Sequence, residues 1–249
     1  MIDLKNGNCL EVMKFIPDKS INAIITDPPY GTTACKWDSV IDFTLMWEQL
    51  NRIIKPNGAI ILCGSEPFSS ALRMSNPKMF KYDWYWKKSK PSGFPNAKKM
   101  PLKDVETISV FYKKMPTYNP QGLLPFNKKI IRPKSMTEKG NHISAYNGGA
   151  LKQKEYIRKF TNYPRQVLNF GVEGKCVHPT QKPIALMKYL VKTYTNEGET
   201  VLDFTMGSGS TGVAAKNLNR NFIGIEQDEN YFNIATERIN KEQPQKELF

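Results

Sequence analysis

Asp27-Pro28-Pro29-Tyr30 is the stretch of this chain with the clearest chemical capacity. It follows Ile21-Asn22-Ala23-Ile24-Ile25-Thr26, an apolar run that reads as a buried strand. Two consecutive prolines cannot continue a sheet ladder, so the strand must end at Asp27 and pass into a stiff turn. A carboxylate at a strand tip and a rigid proline carbonyl can both accept hydrogen bonds from an NH2 group, and Tyr30 can stack on a planar ring. The set suits a flat substrate that bears an exocyclic amine. Taken alone, the string reads equally well as a strand-ending turn with an exposed tyrosine.

A second constellation lies near the other end. Val201-Leu202-Asp203 reads as the end of a strand, Gly207-x-Gly209-x-x-Gly212 as a turn opening a helix, and Glu226, nineteen residues after Gly207, as the tip of the next strand. This is the layout of a nucleotide-binding β-α-β unit, where glycines admit a ligand close to the backbone and the acid takes ribose hydroxyls. A dinucleotide is disfavoured, because Asp203 would repel its pyrophosphate, and a nicotinamide oxidoreductase with it. The same carboxylate would attract an ammonium. A ligand with a ribose at one end and an amino-acid ammonium at the other is S-adenosylmethionine.

The elements that must carry these groups alternate between strand and helix, which argues for an α/β sheet. Strands are expected over Ile2–Leu4, Ile21–Asp27, Ala59–Cys63, Tyr82–Trp86, Thr107–Tyr112, Glu199–Asp203 and Phe222–Glu226. Helices are expected over Leu10–Ile16, Ile41–Ile54, Pro67–Met74, Ile184–Tyr194, from the glycine turn to Leu218, and over Tyr231–Ile239. Residues 31 to 40 read as a mobile loop beside the Asp-Pro-Pro-Tyr turn, and the tail from Gln243 as disordered.

Charge separates a third region. Residues 81 to 175 hold 20 Lys/Arg against 6 Asp/Glu, whereas the remainder holds 16 against 17. Such asymmetry points to a polyanion, nucleic acid first, rather than to a solubilising surface, which mixes signs. From Lys113 to about Lys175 prolines and glycines break the α/β pattern, and basic residues interleave with Tyr146, Tyr156 and Tyr163. Lys87, Lys88, Lys128, Lys129, Arg132, Lys134, Arg158 and Lys159 are the candidate contacts to a phosphate backbone.

Several classes are excluded or disfavoured. No stretch reaches the roughly 18 apolar residues of a membrane span, and the start of the chain has no apolar signal region. Cys9, Cys35, Cys63 and Cys176 are scattered, and with only two histidines neither a metal site nor a disulfide framework is expected. Reduced thiols suit a cytoplasm.

With both sites in view, the chain resembles the β-class amino DNA methyltransferases, adenine-specific type, of the N6/N4 methylase family. The resemblance covers nearly the whole chain and is strongest at Asn22 to Gly31 and His178 to Ile239. It implies a Rossmann-like methyltransferase fold: a mostly parallel seven-stranded sheet with one antiparallel strand, circularly permuted so that the cofactor loop comes late. In domain terms, residues 1–112 would be the catalytic half, 113–175 a target-recognition insertion and 176–249 the cofactor-binding half.

The resemblance implies that Asp203, Gly207, Gly209 and Thr211 line the methionine side, with Ser210 in the same loop, and that Glu226 takes the ribose. Gln181 and Lys182, in His178-Pro179-Thr180-Gln181-Lys182-Pro183, would meet the methionine carboxylate. Asp27, Pro28, Pro29 and Tyr30 would form the catalytic turn, with Asp27 also bordering the cofactor.

Two motifs depart from the family pattern. Gly7-Asn8-Cys9 stands where Gly-Asp-Cys is usual, leaving Asn8 as an acceptor for the adenine amine of the cofactor, beside Cys9. Asp203-Phe204-Thr205 stands where Asp-Pro-Phe is usual, so Phe204 would pack on the cofactor from a position shifted by one.

Double-stranded DNA is the implied partner, in a bacterial or phage-infected bacterial cytoplasm. The resemblance also admits a homodimer and a cognate restriction nuclease. Cytosine is the alternative amine. An RNA or protein methyltransferase and a catalytically silent DNA-binding module are the readings from other classes.

Overall fold

The computed structural model describes residues 1–32, 38–132, 154–174, 177 and 180–243. Expectations that fall on Lys134, Cys35, Cys176, His178 and the tail beyond Gln243 lie outside the described residues. The chain forms two units, residues 1–119 with 165–249, and residues 120–164.

The larger unit is built on one sheet. Its strands are β1 (Ile2–Asn6), β2 (Ile21–Thr26), β3 (Ile54–Gly64), β4 (Phe80–Ser92), β5 (Lys103–Phe111), β8 (Val167–Asn169), β9 (Thr200–Asp203) and β10 (Asn221–Glu226), in the order β1-β10-β9-β2-β3-β5-β4-β8. The pairs from β1 across to β3 are parallel, and β5 runs antiparallel to both β3 and β4. The sheet therefore has eight strands where seven were expected. The extra one, β8, is a three-residue edge strand beside β4, and only its central Leu168 is buried. Exposed flanks leave no apolar run for sequence reading to find.

Helices cover both faces because the strands are buried on both. In β2, Ala23 and Ile25 face the core that holds α4 (Ile184–Tyr194), α5 (Ser210–Asn217) and α6 (Glu229–Lys241). Ile24 faces the opposite core, which holds α1 (Cys9–Met13), α2 (Phe43–Ile53) and α3 (Phe68–Ser75). Val201 and Leu202 of β9 divide in the same way. This is the continuous apolar reading that two-sided parallel strands require.

The helix after β9 thus packs on one face and the helix after β2 on the other. Between these adjacent strands the sheet has its switch point, and a crevice opens at their carboxyl ends. Asp27 and Asp203 lie at that edge.

Helix α5 is held close by its glycines. A Cβ on Gly212 would sit 2.6 Å from Phe222 Cε1 and would meet the Ile239 side chain as well. Gly212→Ala is therefore expected to destabilise the protein by about 1–3 kcal/mol, measurable as a lower urea midpoint.

The smaller unit contains an antiparallel ribbon of β6 (Leu124–Arg132) and β7 (Lys154–Thr161), with Lys128 opposite Arg158 and Ile130 opposite Tyr156. Sequence reading treats this region as irregular. Its strands mix charged residues with short apolar pairs, as in Lys128-Lys129-Ile130-Ile131, around a register shift between Pro125 and Lys128, so they lack the apolar signature of the core strands. Among the described residues no helix is long and apolar enough to cross a membrane.

Candidate active site

A cavity of about 320 Å³ lies at the switch point of the larger unit. Three carboxylates reach it from strand ends: Asp27 just after β2, Asp203 closing β9 and Glu226 closing β10. Pro28, Pro29 and Tyr30 line it too, as do Asn8 and Cys9 from the start of α1. Gln181, Lys182, Phe204, Gly207, Ser210 and Thr211 complete the set that sequence reading brings here. Gly209 is placed elsewhere: with φ +81° it caps α5, and a Cβ there would meet Ala235 of α6.

On one side the cavity is built for a polar ligand. Asp203 is 3% exposed. Its carboxylate accepts from the Thr26 hydroxyl and from the Thr205 backbone N–H at 3.2 Å. Burial nevertheless pushes this carboxyl up to about 7. Glu226 accepts from the backbone N–H groups of Gly207 at 2.8 Å and Asp228 at 2.9 Å, which fixes its orientation. Burial raises its pKa as well. Among the described residues the Ser210 hydroxyl is buried without a hydrogen-bond partner, a polar atom left for something that occupies the cavity.

Asn8 has a structural task that sequence reading misses. It caps α1, and its side-chain oxygen accepts from Leu10 N at 2.9 Å. One lone pair of that oxygen is thus committed. Gln181 is likewise engaged, through a hydrogen bond from its amide to Glu173 and through Val177 N and the Ser208 hydroxyl on its oxygen.

The other side is a charge cluster around Asp27. One carboxylate oxygen accepts from the Tyr30 hydroxyl, and the other lies 2.5 Å from the Lys182 ammonium. A carboxylate has about four lone-pair sites, so acceptor capacity remains for an incoming amine. Burial pushes the Asp27 carboxyl up and Lys182 opposes that rise. The lysine, between Asp27 and Glu106, is held firmly protonated. The Tyr30 ring rests against Phe68, with centroids 5.0 Å apart.

The resemblance puts Lys182 on the methionine carboxylate of the cofactor. In the structure its ammonium meets the Asp27 and Glu106 carboxylates, the pairing a buried charge requires.

Three residues at the site were not singled out from sequence. Thr205 donates from its hydroxyl to the Asp27 carbonyl at 3.2 Å and from its N–H to Asp203, linking the two halves. Asp38 accepts from Gly31 N and Thr32 N, at 2.8 and 2.9 Å, and so pins the chain after Tyr30. Glu106 arrives from β5. A polar side chain beside a motif is a usable signal for Thr205, whereas Glu106 had none.

The candidate phosphate contacts fall in both units. In the larger, Lys87 is exposed, but Lys88 is spent on Glu106 at 3.1 Å, which removes it from the surface set. In the smaller, Lys128 and Arg158 lie over the Phe126 ring, at 5.3 and 5.9 Å from its centroid. Lys129 pairs with Glu155 at 2.6 Å and Lys159 is exposed. Arg132 ends β6.

Comparison with known proteins gives consistent results. A family model for DNA methylases matches residues 21–237. The type II methyltransferase M.HpaI of Haemophilus parainfluenzae is 29% identical, over 95% of this chain and 73% of its own length. The type II methyltransferase M.HinfI of Haemophilus influenzae is 27% identical, over 96% and 68%. The crystal structure of the M1.HpyAVI–SAM complex matches with a TM-score of 0.64 and 28% identity, covering 96% of this chain and all of that one (100%). The PvuII DNA methyltransferase, titled cytosine-N4-specific, matches with a TM-score of 0.69 over 95% and 86% at 18% identity, a likeness of fold.

Proposed function

We propose, for a chain that belongs to the N6/N4 family of DNA methylases, that it transfers a methyl group from S-adenosylmethionine to the exocyclic amine of adenine at one short sequence in double-stranded DNA. Family membership carries the reaction class. The choice of adenine is inferred from the carboxylate at position 27, which by family resemblance favours adenine over cytosine. The observation that carries the reading is that Asp27 and Asp203, at neighbouring strand ends, border one cavity and are joined through Thr205.

The cavity residues fit S-adenosylmethionine. Asp203 would hold its ammonium and Glu226 its ribose, and the unpartnered Ser210 hydroxyl is a polar atom to be satisfied. When bound, this cofactor supplies a sulfonium methyl group that a nitrogen lone pair can take.

The residues of the chain supply orientation and charge. A base inside a duplex must be flipped out, and Tyr30 would then stack on it. The adenine amine has its lone pair delocalised into the ring. Hydrogen bonds from its two N–H groups to Asp27 and the Pro28 carbonyl favour a pyramidal nitrogen with a localised pair. As the N–C bond forms and the methyl group's bond to sulfur breaks with its electron pair left on sulfur, the amine gives up a proton, for which the Asp27 carboxylate would be the adjacent acceptor. Catalysis of this kind is positioning and electrostatics.

Residues 120–164 would read the target. They hold nine Lys/Arg against two Asp/Glu. Lys128→Ala and Arg158→Ala are each expected to lower the slope of log affinity against log salt by about 1. They should weaken specific and random duplexes alike in fluorescence anisotropy.

The deciding experiment is modification-sensitive sequencing of host DNA with and without expression of the chain. Methylated adenines at one motif are expected. Methylated cytosines would move the substrate to the other amine, and unmodified DNA in cells holding soluble protein would overturn the reading.

A further inference from the structure

Lys182 sits where two carboxylates converge. Its side chain is 7% exposed, with Nζ 2.5 Å from Asp27 Oδ2 and 3.3 Å from Glu106 Oε2. That Glu106 oxygen is buried, and the Lys182 ammonium is the charge it meets among the described residues. The other, Oε1, accepts from Lys88 Nζ at 3.1 Å on the neighbouring strand. From Asp27 to Lys88, four charges therefore alternate in sign across the end of the sheet. The Lys182 ammonium also lies 5.7 Å from the centroid of the Tyr30 ring, whose hydroxyl donates to Asp27.

An ammonium is buried to this degree only when it is paired, because desolvation would otherwise cost more than the fold can return. Lys182 lines the cavity, and its ammonium is paired there with two carboxylates. One of them is the carboxylate that faces the target amine.

We propose that Lys182, itself set in place by Glu106, is a positioning residue for methyl transfer: it keeps Asp27 ionised and aimed at the amine, and does not hold the methionine carboxylate. The inference rests on the reading of Asp27 as the acceptor for that amine.

The physical reason is the state Asp27 must be in. A protonated carboxyl would present an O–H to the amine and lose its capacity to draw on both N–H bonds. The titratable and charged groups facing Asp27 are Lys182 from the segment before α4, Glu106 from β5, Cys63 from β3, Asp203 from β9 and Tyr30 from the turn itself. Of these Lys182 carries the positive charge. Burial raises Asp27, Lys182 lowers it and Glu106 raises it. The two partners should thus move Asp27 in opposite directions when each is neutralised, a signature that a merely structural role would not produce.

The test is the pH dependence of single-turnover methylation for the full chain, Lys182→Met, Lys182→Arg and Glu106→Gln. Calorimetric titration with S-adenosylmethionine is run on the same preparations. In Lys182→Met the acid limb should move up by about 1–3 pH units, so that the rate lost at neutral pH returns as pH rises, while cofactor affinity changes by less than about threefold. Lys182→Arg should keep the limb near its original place, and Glu106→Gln should move it down. A tenfold or greater loss of cofactor affinity with a fixed limb would put Lys182 on the methionine carboxylate and overturn the proposal. Rates lowered equally at every pH would also overturn it. If Lys182→Met does not fold, Glu106→Gln decides alone, and a limb that fails to fall rejects the idea. Unmodified protein that binds DNA and cofactor yet transfers no methyl group would instead reject the function proposed above, and this inference with it.

Discussion

Asp27→Asn is expected to lower the single-turnover methylation rate by about 10²–10⁴-fold, with cofactor affinity and thermal midpoint near those of the unmodified protein. Asparagine keeps the shape of the side chain but changes what it offers. One oxygen acceptor remains, the charge is gone, and an NH2 donor now points at an amine that is itself a donor. The lone pair of the target nitrogen then stays in the ring. Removing one partner of a buried ion pair usually destabilises a protein strongly, because the other charge is stranded. Here Lys182 retains Glu106 at 3.3 Å, so the fold should survive the change. Rapid-quench transfer of a labelled methyl group to a duplex containing the recognition site reads the rate directly. A wild-type rate would remove the carboxylate from the mechanism.

The parts of the site that were legible in sequence share one property: each is announced by its own neighbours. Asp27 follows six residues of buried strand and precedes two prolines. Asp203 and Glu226 each close a short buried strand, and glycines follow the first. Apolar runs stop where a sheet stops, so a carboxylate at the stop is a carboxylate at the sheet edge. The α/β class follows from the same punctuation, whereas the mostly parallel sheet with a late cofactor loop is what the family resemblance implies.

What stayed hidden depends on folding across distance. Lys182 and Asp27 are 155 residues apart, and Glu106 comes from a strand whose reversed direction no local pattern announces. Lys182 therefore reads as one more residue of a cofactor motif until the sheet brings β5 beside it. Lys88 reads as a surface charge for the same reason. The hairpin of β6 and β7 and the edge strand β8 escape notice because their residues are mostly exposed, and burial is what makes a strand visible in sequence. Asn8 could have been read as a cap, since Asn before a short helix is a favoured pairing.

At Asp203 the expected effect is on affinity. Asp203→Asn should weaken S-adenosylmethionine binding by roughly two orders of magnitude, the scale of losing one partner of a desolvated charge pair. The unmodified protein should show a pH dependence that the variant lacks. Burial holds the free carboxyl at about 7. A bound ammonium would favour the carboxylate, so binding below that value must first expel a proton. Affinity should be level above about pH 7 and fall by about tenfold for each unit below it.

Stability of the ligand-free protein should run the other way. The folded-state value is raised above the ordinary 3.8, so the fold binds the proton more tightly than the unfolded chain does. This contribution is present in full at low pH and is lost as pH rises from about 4 through 7. Titration calorimetry and thermal melts between about pH 6 and pH 8 test both slopes on one sample. Opposite slopes in the unmodified protein, and flat traces in Asp203→Asn, would assign the proton to this carboxyl. Parallel slopes, or slopes that persist in the variant, would place it on another group of the cavity, with Glu226 the first to examine because burial raises it too.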